Sequence, residues 1–525
     1  MPGAISDENT SVVPQEVEQV FRELDHKRTA LNQKFNNAST AFFFLGDSLS
    51  DVGSLFKRRL FGFIPMRWLT TLTNSREGRF NSMFNWVDGV VAAISGQHVS
   101  DVEWSNDSDE RPFVSHDVNG HTFYNFAQGG ATAVRYRMDH AYFWVGLSGL
   151  VVAVGIVCLF ASIFKLWVRS GYYFWPSLAV IILAGIIFTG ALVYLRRHQS
   201  ESFVEAVMGD ILRNMDQENN AFERVMASQD KSQDKKVHLF LWIGANDLIT
   251  VPYDNDLRSR NAKRCANVVE AFVLEKIKNR NIERLYLLNL PDFRNTPWVK
   301  AYAANFKLHR RIEALLTMLV AVVLIVFVVL FSPGFTALVS WILSVASAVL
   351  SIYYLCDAAR AEHYQKALED SLNNNMQNVN KVYRSLAQDH DKVFLVDAHE
   401  VFNDLIENVQ DEAGCGKLFD KEQCFKPSID DPNYEENTDL LMHESLKQFC
   451  SKHFGKLRVF WDTVHPSTIV QRLWIAPKVM QAMLGSPVAA TDISAGEHKL
   501  SVVGSSQGAA GLQNSALNGG ASSGL

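Results

Sequence analysis

Five short apolar runs, at 41–45, 122–126, 237–243, 284–289 and 392–396, recur along this chain, with amphipathic stretches such as 203–226, 262–278 and 363–387 between them. Runs of this kind are buried on both faces, and only helices packed on both sides of a parallel sheet provide that cover. The alternation therefore predicts an α/β fold: three layers, α/β/α, around a five-stranded parallel sheet.

A second feature interrupts that pattern. Three stretches carry no charge: 142–164, 171–195 and 314–356, the last broken by Ser332-Pro333-Gly334. A mean hydropathy of −0.02 in a chain with 20% charged residues is high for a soluble protein, and these stretches account for it. Roughly 17 to 25 apolar residues span a bilayer, so the stretches predict four helices arranged as two transmembrane hairpins. Buried helices of a soluble core are the alternative, but those seldom lack a polar face over such a length.

Each hairpin would return the chain to its side of origin. Arg135, Arg137, Arg196, Arg197, Lys307, Arg310, Arg311 and Arg360 flank the outer ends, against Lys165 and Arg169 in the first turn. Positive charge collects on the cytosolic side, so a multi-pass integral membrane protein with its catalytic domain facing the cytosol is expected. No apolar signal core follows the N-terminus. A bacterial protein delivered to host membranes would share these traits.

The expected organisation is then a helical N-terminal extension (1–40), a first part of the α/β domain (41–141), hairpin one (142–195), a second part (196–313), hairpin two (314–356), a third part (357–485) and a Gly, Ala and Ser rich tail (486–525) expected to be disordered. The polar stretch 101–118 reads as a surface loop. A net charge of −6 gives no support for a nucleic-acid partner. The six cysteines show no metal-like pairing, and reduced thiols are expected on a cytosolic face. Cys415 and Cys424 could close a small loop only if that region were exported.

Reactive groups on a parallel sheet gather at the carboxyl ends of its strands, and four segments fall at such ends or in a late loop. Gly46-Asp47-Ser48-Leu49-Ser50-Asp51 follows the first run; its glycine permits a tight turn and its Ser48 hydroxyl is a candidate nucleophile. A serine capping the next helix would look the same. Gln128-Gly129-Gly130-Ala131 follows the second run, where a glycine N–H can approach an anionic oxygen, though any turn needs such glycines.

Gly244-Ala245-Asn246-Asp247 follows the third run. Asn246 can donate a further hydrogen bond to a tetrahedral oxyanion, or it and Asp247 can simply cap a helix. Asp462-Thr463-Val464-His465-Pro466 lies near the end; its spacing lets Asp462 hold Nδ1–H of His465 and leaves Nε2 to take the Ser48 proton. Each element alone is modest, and their joint occurrence in order carries the argument.

On these four segments the chain resembles the GDSL lipase and esterase family, also called SGNH hydrolases, over about 41–483 once the hairpins are set aside. The resemblance implies a flavodoxin-like hydrolase fold, Ser48 as nucleophile, Asp462 and His465 as its orienter and base, and an oxyanion hole made by Ser48, Gly130 and Asn246. The segment Asn289-Leu290-Pro291-Asp292-Phe293-Arg294-Asn295-Thr296-Pro297 resembles one found in the lipase-like branch, which includes bacterial phospholipases A and acyltransferases. Gly53-Ser54 and Gly78-Arg79-Phe80-Asn81 depart from the usual pattern, which bears on the substrate pocket and leaves the catalytic positions intact.

The expected function is a membrane-anchored serine ester hydrolase that cleaves phospholipid or lysophospholipid acyl esters through an acyl-serine intermediate. Its partners would be a lipid ester substrate and a membrane. It calls for no cofactor and no metal. Acyl transfer, glycan acetyl-ester cleavage, and a catalytically silent membrane adaptor are the competing readings.

Overall fold

The computed structural model describes residues 13–36, 39–57, 59–60, 64–65, 79–81, 84–105, 113–134, 213–228, 235–251, 255–331, 335–411, 414–424, 426–427 and 443–485. Helix α1 (Gln15–Phe35) precedes β1 (Thr40–Gly46), then α2 (Trp86–Ser95) and the pair β2 (Val114–Val118) and β3 (His121–Asn125). Next come α3 (Met215–Ser228), β4 (Lys236–Trp242), α4 (Ala245–Ile249), α5 (Asn255–Lys276) and β5 (Ile282–Leu288). After α6 (Pro297–Lys300) follow α7 (Tyr302–Phe331), α8 (Phe335–Ala358), α9 (Ala361–Asp389), β6 (Val393–Val396), α10 (Ala398–Asp411), α11 (His443–Lys452) and α12 (Ala476–Leu484).

The six strands form one sheet in the order β2-β3-β1-β4-β5-β6. β3, β1, β4, β5 and β6 run parallel, and β2 pairs antiparallel with β3. The five expected runs all form strands, but the sheet is mixed and six-stranded rather than purely parallel and five-stranded. The extra strand lies in the stretch read as a loop. Asn119 and Gly120 both take positive φ (51° and 79°), which closes a tight hairpin in the twist that antiparallel strands favour.

Successive side chains of a strand face opposite layers, and β1 shows it plainly. Phe42 and Phe44 join a core with Trp86, Phe240 and Val479 under α1, α2, α10 and α12, whereas Phe43 and Leu45 join Phe222, Val269 and Tyr383 under α3, α5 and α9. Three layers result, as expected. The parallel strands follow a doubly wound order whose reversal lies between β1 and β4, and the carboxyl ends there open a crevice.

The membrane expectations need correction. Among the described residues no helix is long and apolar enough to cross a membrane, so the transmembrane hairpins are not supported, and neither are the multi-pass placement and the cytosol-facing orientation drawn from them. The second expected hairpin is the pair α7 and α8. Lys307, Arg310, Arg311 and Glu313 lie inside α7, so its length is not apolar throughout. Arg310 pairs with Glu313 and Asp357 where the two helices meet the domain. The first expected hairpin, at 142–195, and the tail at 486–525 lie outside the described residues.

Candidate active site

The crevice is built by three strand-ending turns and one late loop. β1 closes with Gly46 at φ 147°, where a Cβ would sit 2.1 Å from the Trp242 carbonyl oxygen, so only glycine lets β1 and β4 approach here. Glu218, fully buried, accepts the Gly46 N–H at 2.9 Å. The Asp47 carboxylate then accepts the Leu49 N–H, a local turn that carries Ser48 to the cavity wall.

After β3, Ala131 N–H returns to the Gln128 carbonyl and Gly130 takes φ 77°, which brings Gly130 to the same cavity. Asp51 ties this turn to the one that bears Ser48: one carboxylate accepts N–H groups from Gly53, Ser54, Leu55 and Gly129. After β4, Asn246 Nδ2 donates to the Ala131 carbonyl at 2.9 Å, which holds the amide against the glycine turn and leaves its second N–H for another acceptor. Neither Asn246 nor Asp247 caps α4, whose N-cap is Gly244. Asp247 instead accepts the Ala133 and Val134 N–H groups.

The late loop completes the arrangement. His465 Nε2 lies 2.6 Å from Ser48 Oγ, and His465 Nδ1 lies 2.7 Å from Asp462 Oδ2. Asp462 Oδ1 accepts the Val464 and His465 N–H groups at 2.8 and 2.7 Å, so its carboxylate is fixed before it meets the imidazole. Trp298 N–H at the start of α6 donates to the Thr463 carbonyl and braces the loop from outside. Ser48, Gly130, Asn246, Asp462 and His465, separated widely in sequence, are thus brought to one place.

The electrostatics follow from burial and charge. Burial pushes the His465 pKa down, but the Asp462 carboxylate and its hydrogen bond, aided by Asp47, outweigh that and leave it raised. Burial pushes Asp462 up, and the His465 interactions with the two backbone N–H bonds more than reverse it. Asp47 and Asp247, fully desolvated, are each raised to about 7 despite accepting backbone N–H bonds.

A cavity of about 160 Å³ adjoins Ser48 and His465. Leu49, Phe80, Ile249, Phe293, Phe402 and Phe460 give it an apolar wall. Phe80 belongs to the segment that departs from the family pattern. Its ring packs on His465, centroids 5.1 Å apart, and occupies the space that a Cβ at Gly129 would need. The paired glycines at 129 and 130 were the available signal, because one of them seats an aromatic ring and only the other faces the cavity. Asp51 and Glu218 were likewise missed as organisers of the turns. Asp51 stands in the same turn as Ser48, whereas nothing in the sequence around Glu218 marks it.

The family model described as GDSL-like Lipase/Acylhydrolase matches residues 42–476, most of the chain. No curated protein matches it.

Proposed function

The chain belongs to the GDSL-like lipase/acylhydrolase family and is a carboxylic ester hydrolase, and from this we propose that it cleaves acyl esters of phospholipids or lysophospholipids through an acyl-Ser48 intermediate. The observation that carries the reading is the hydrogen-bonded chain Ser48–His465–Asp462 beside an apolar cavity. His465 Nε2 takes the Ser48 proton as Oγ attacks the ester carbonyl, and Asp462 stabilises the imidazolium and its tautomer. The oxyanion is held by the Ser48 and Gly130 N–H groups and the remaining Asn246 N–H.

Collapse of that intermediate breaks the bond to the alcohol, which leaves with the proton from His465. Water then enters, gives its proton to the same nitrogen and releases the fatty acid, restoring Ser48. An apolar wall of aromatic rings favours a hydrocarbon acyl group, since it offers few polar partners to a hydrated one.

The test is lipid mass spectrometry on phospholipid and lysophospholipid substrates treated with wild type and Ser48→Ala. Free fatty acid and deacylated lipid are expected with wild type alone. Identical products from both proteins overturn the assignment.

A further inference from the structure

The pair α7 and α8 is packed inside out. Past its base, where Tyr302, Phe306 and Asp357 are buried against the domain, the described residues that the pair buries are small: Ala314, Ala321, Ser344 and Ser351. The large apolar side chains face away from the seam, with Leu315 at 70% exposure, Trp341 at 60% and Ile352 at 62%. In water a helix pair buries its large side chains and exposes small or polar ones, because apolar burial is what holds it together. Small residues at the seam with large apolar ones outside is the arrangement that suits a hydrocarbon surrounding.

The polar groups of the pair agree with that. Ser351 Oγ donates to the Ala314 carbonyl across the seam, and Thr317 Oγ1 donates to the Glu313 and Ala314 carbonyls of its own helix. Hydroxyls satisfied in this way need no water. Charge gathers at the base instead, where Arg310 meets Glu313 and Asp357.

We propose that the outward face of α7 and α8 is a docking surface for a lipid leaflet, into which its apolar side chains enter. Such docking needs no crossing, in keeping with the absence of a helix able to cross among the described residues. A protein partner or a second copy would cover one stripe of each helix. Exposed apolar residues instead occupy about half the circumference or more of each helix: Leu316, Leu319, Met318 and Ile325 on α7, and Leu350, Ile352 and Leu355 on α8. A fluid of acyl chains matches an arc of that width.

The position also joins the surface to the cavity. Asp292, Phe293 and Thr296 line the cavity, α6 follows immediately with its bond from Trp298 to the catalytic loop, and α7 begins two residues after α6 ends. Lipid held at the hairpin would lie close to the cavity wall. Docking itself does not depend on the proposed substrate.

The experiment is flotation of the full chain with phosphatidylcholine vesicles, in a Ser48→Ala background so that no lipid is consumed. The parent chain is expected to float, and Leu319→Glu/Ile352→Glu to lower the vesicle-bound fraction at least tenfold. Fluorophosphonate labelling of the same double variant with Ser48 restored checks the fold; if it fails, Leu319→Ser/Ile352→Ser takes its place. Unchanged flotation overturns the proposal. So does a lipid-free dimer that the substitutions convert to monomer while flotation persists, which marks a subunit interface. Failure of the wild type to label or release fatty acid bears on the hydrolase reading alone.

Discussion

Replacing Asp462 by Asn tests the proposed site at its most sensitive joint. An amide can keep one oxygen on the Val464 and His465 N–H groups, as Asp462 Oδ1 does at 2.8 and 2.7 Å. Its NH2 then faces His465 Nδ1, and a donor there forces that nitrogen to accept. The proton moves to Nε2, which can no longer receive one from Ser48. The charge is lost as well: at 2.7 Å, with an effective dielectric of about 20, a carboxylate and an imidazolium attract by roughly 6 kcal/mol.

Both side chains keep some solvent contact, which trims that figure to about 5 kcal/mol, or roughly 10⁴-fold in kcat at 1.36 kcal/mol per decade. The assay is kcat and KM on a chromogenic short-chain ester across pH. His465 is raised in the wild type chiefly by Asp462 against the effect of burial, so its neutral, basic form is gained only above the ordinary value of about 6.5. Without the carboxylate the acidic limb moves to lower pH. A variant that keeps more than a tenth of wild-type kcat, or whose limb does not move, refutes the assigned role of Asp462.

Asn246→Ala removes one proposed oxyanion donor and should lower kcat about 10²- to 10³-fold with little change in KM, measured on the same ester; an effect on KM alone would make it a binding group. Asp47→Asn should stabilise the protein at high pH. Asp47 Oδ2 has no hydrogen-bond partner, and burial raises this carboxyl to about 7, so the native state keeps a proton that the unfolded chain releases near 4. Stability contributed by that protonated form is present below about 4 and is lost as pH rises to 7, giving the variant an advantage of at most roughly 4 kcal/mol above pH 7. Thermal melts at pH 5 and 8 read it, and an equal difference in Tm at both values would contradict the sign.

The strands were legible because Ala41–Leu45 and its four counterparts are short apolar runs set between amphipathic ones, and backbone pairing has few ways to bury such runs. The order of Ser48, Gly130, Asn246 and His465 was legible for a related reason: each stands just past a strand or in a late loop, and chain connectivity alone places the strand ends on one side of the sheet. Asn119-Gly120 announced an antiparallel edge too, but the polar residues around it masked the strand. The α7 and α8 pair misled in another way, because apolar composition reports what a helix avoids and is silent on whether it crosses a bilayer.

What the sequence determined by itself is the local chemistry: which segments extend, where the chain turns, and which residues can attack, accept a proton or donate to an oxyanion. The tertiary structure decided everything that depends on contact across tens to hundreds of positions. The 2.6 Å approach of Ser48 to His465 spans 417 residues, and the Asp51 clamp on Gly129 spans 78. The seat of Phe80 over Gly129 spans 49, and the Ser351 bond to Ala314 in the seam of α7 and α8 spans 37. Periodicity and propensity act over a turn or two of chain, whereas these contacts exist only once the sheet has fixed its strand order and register.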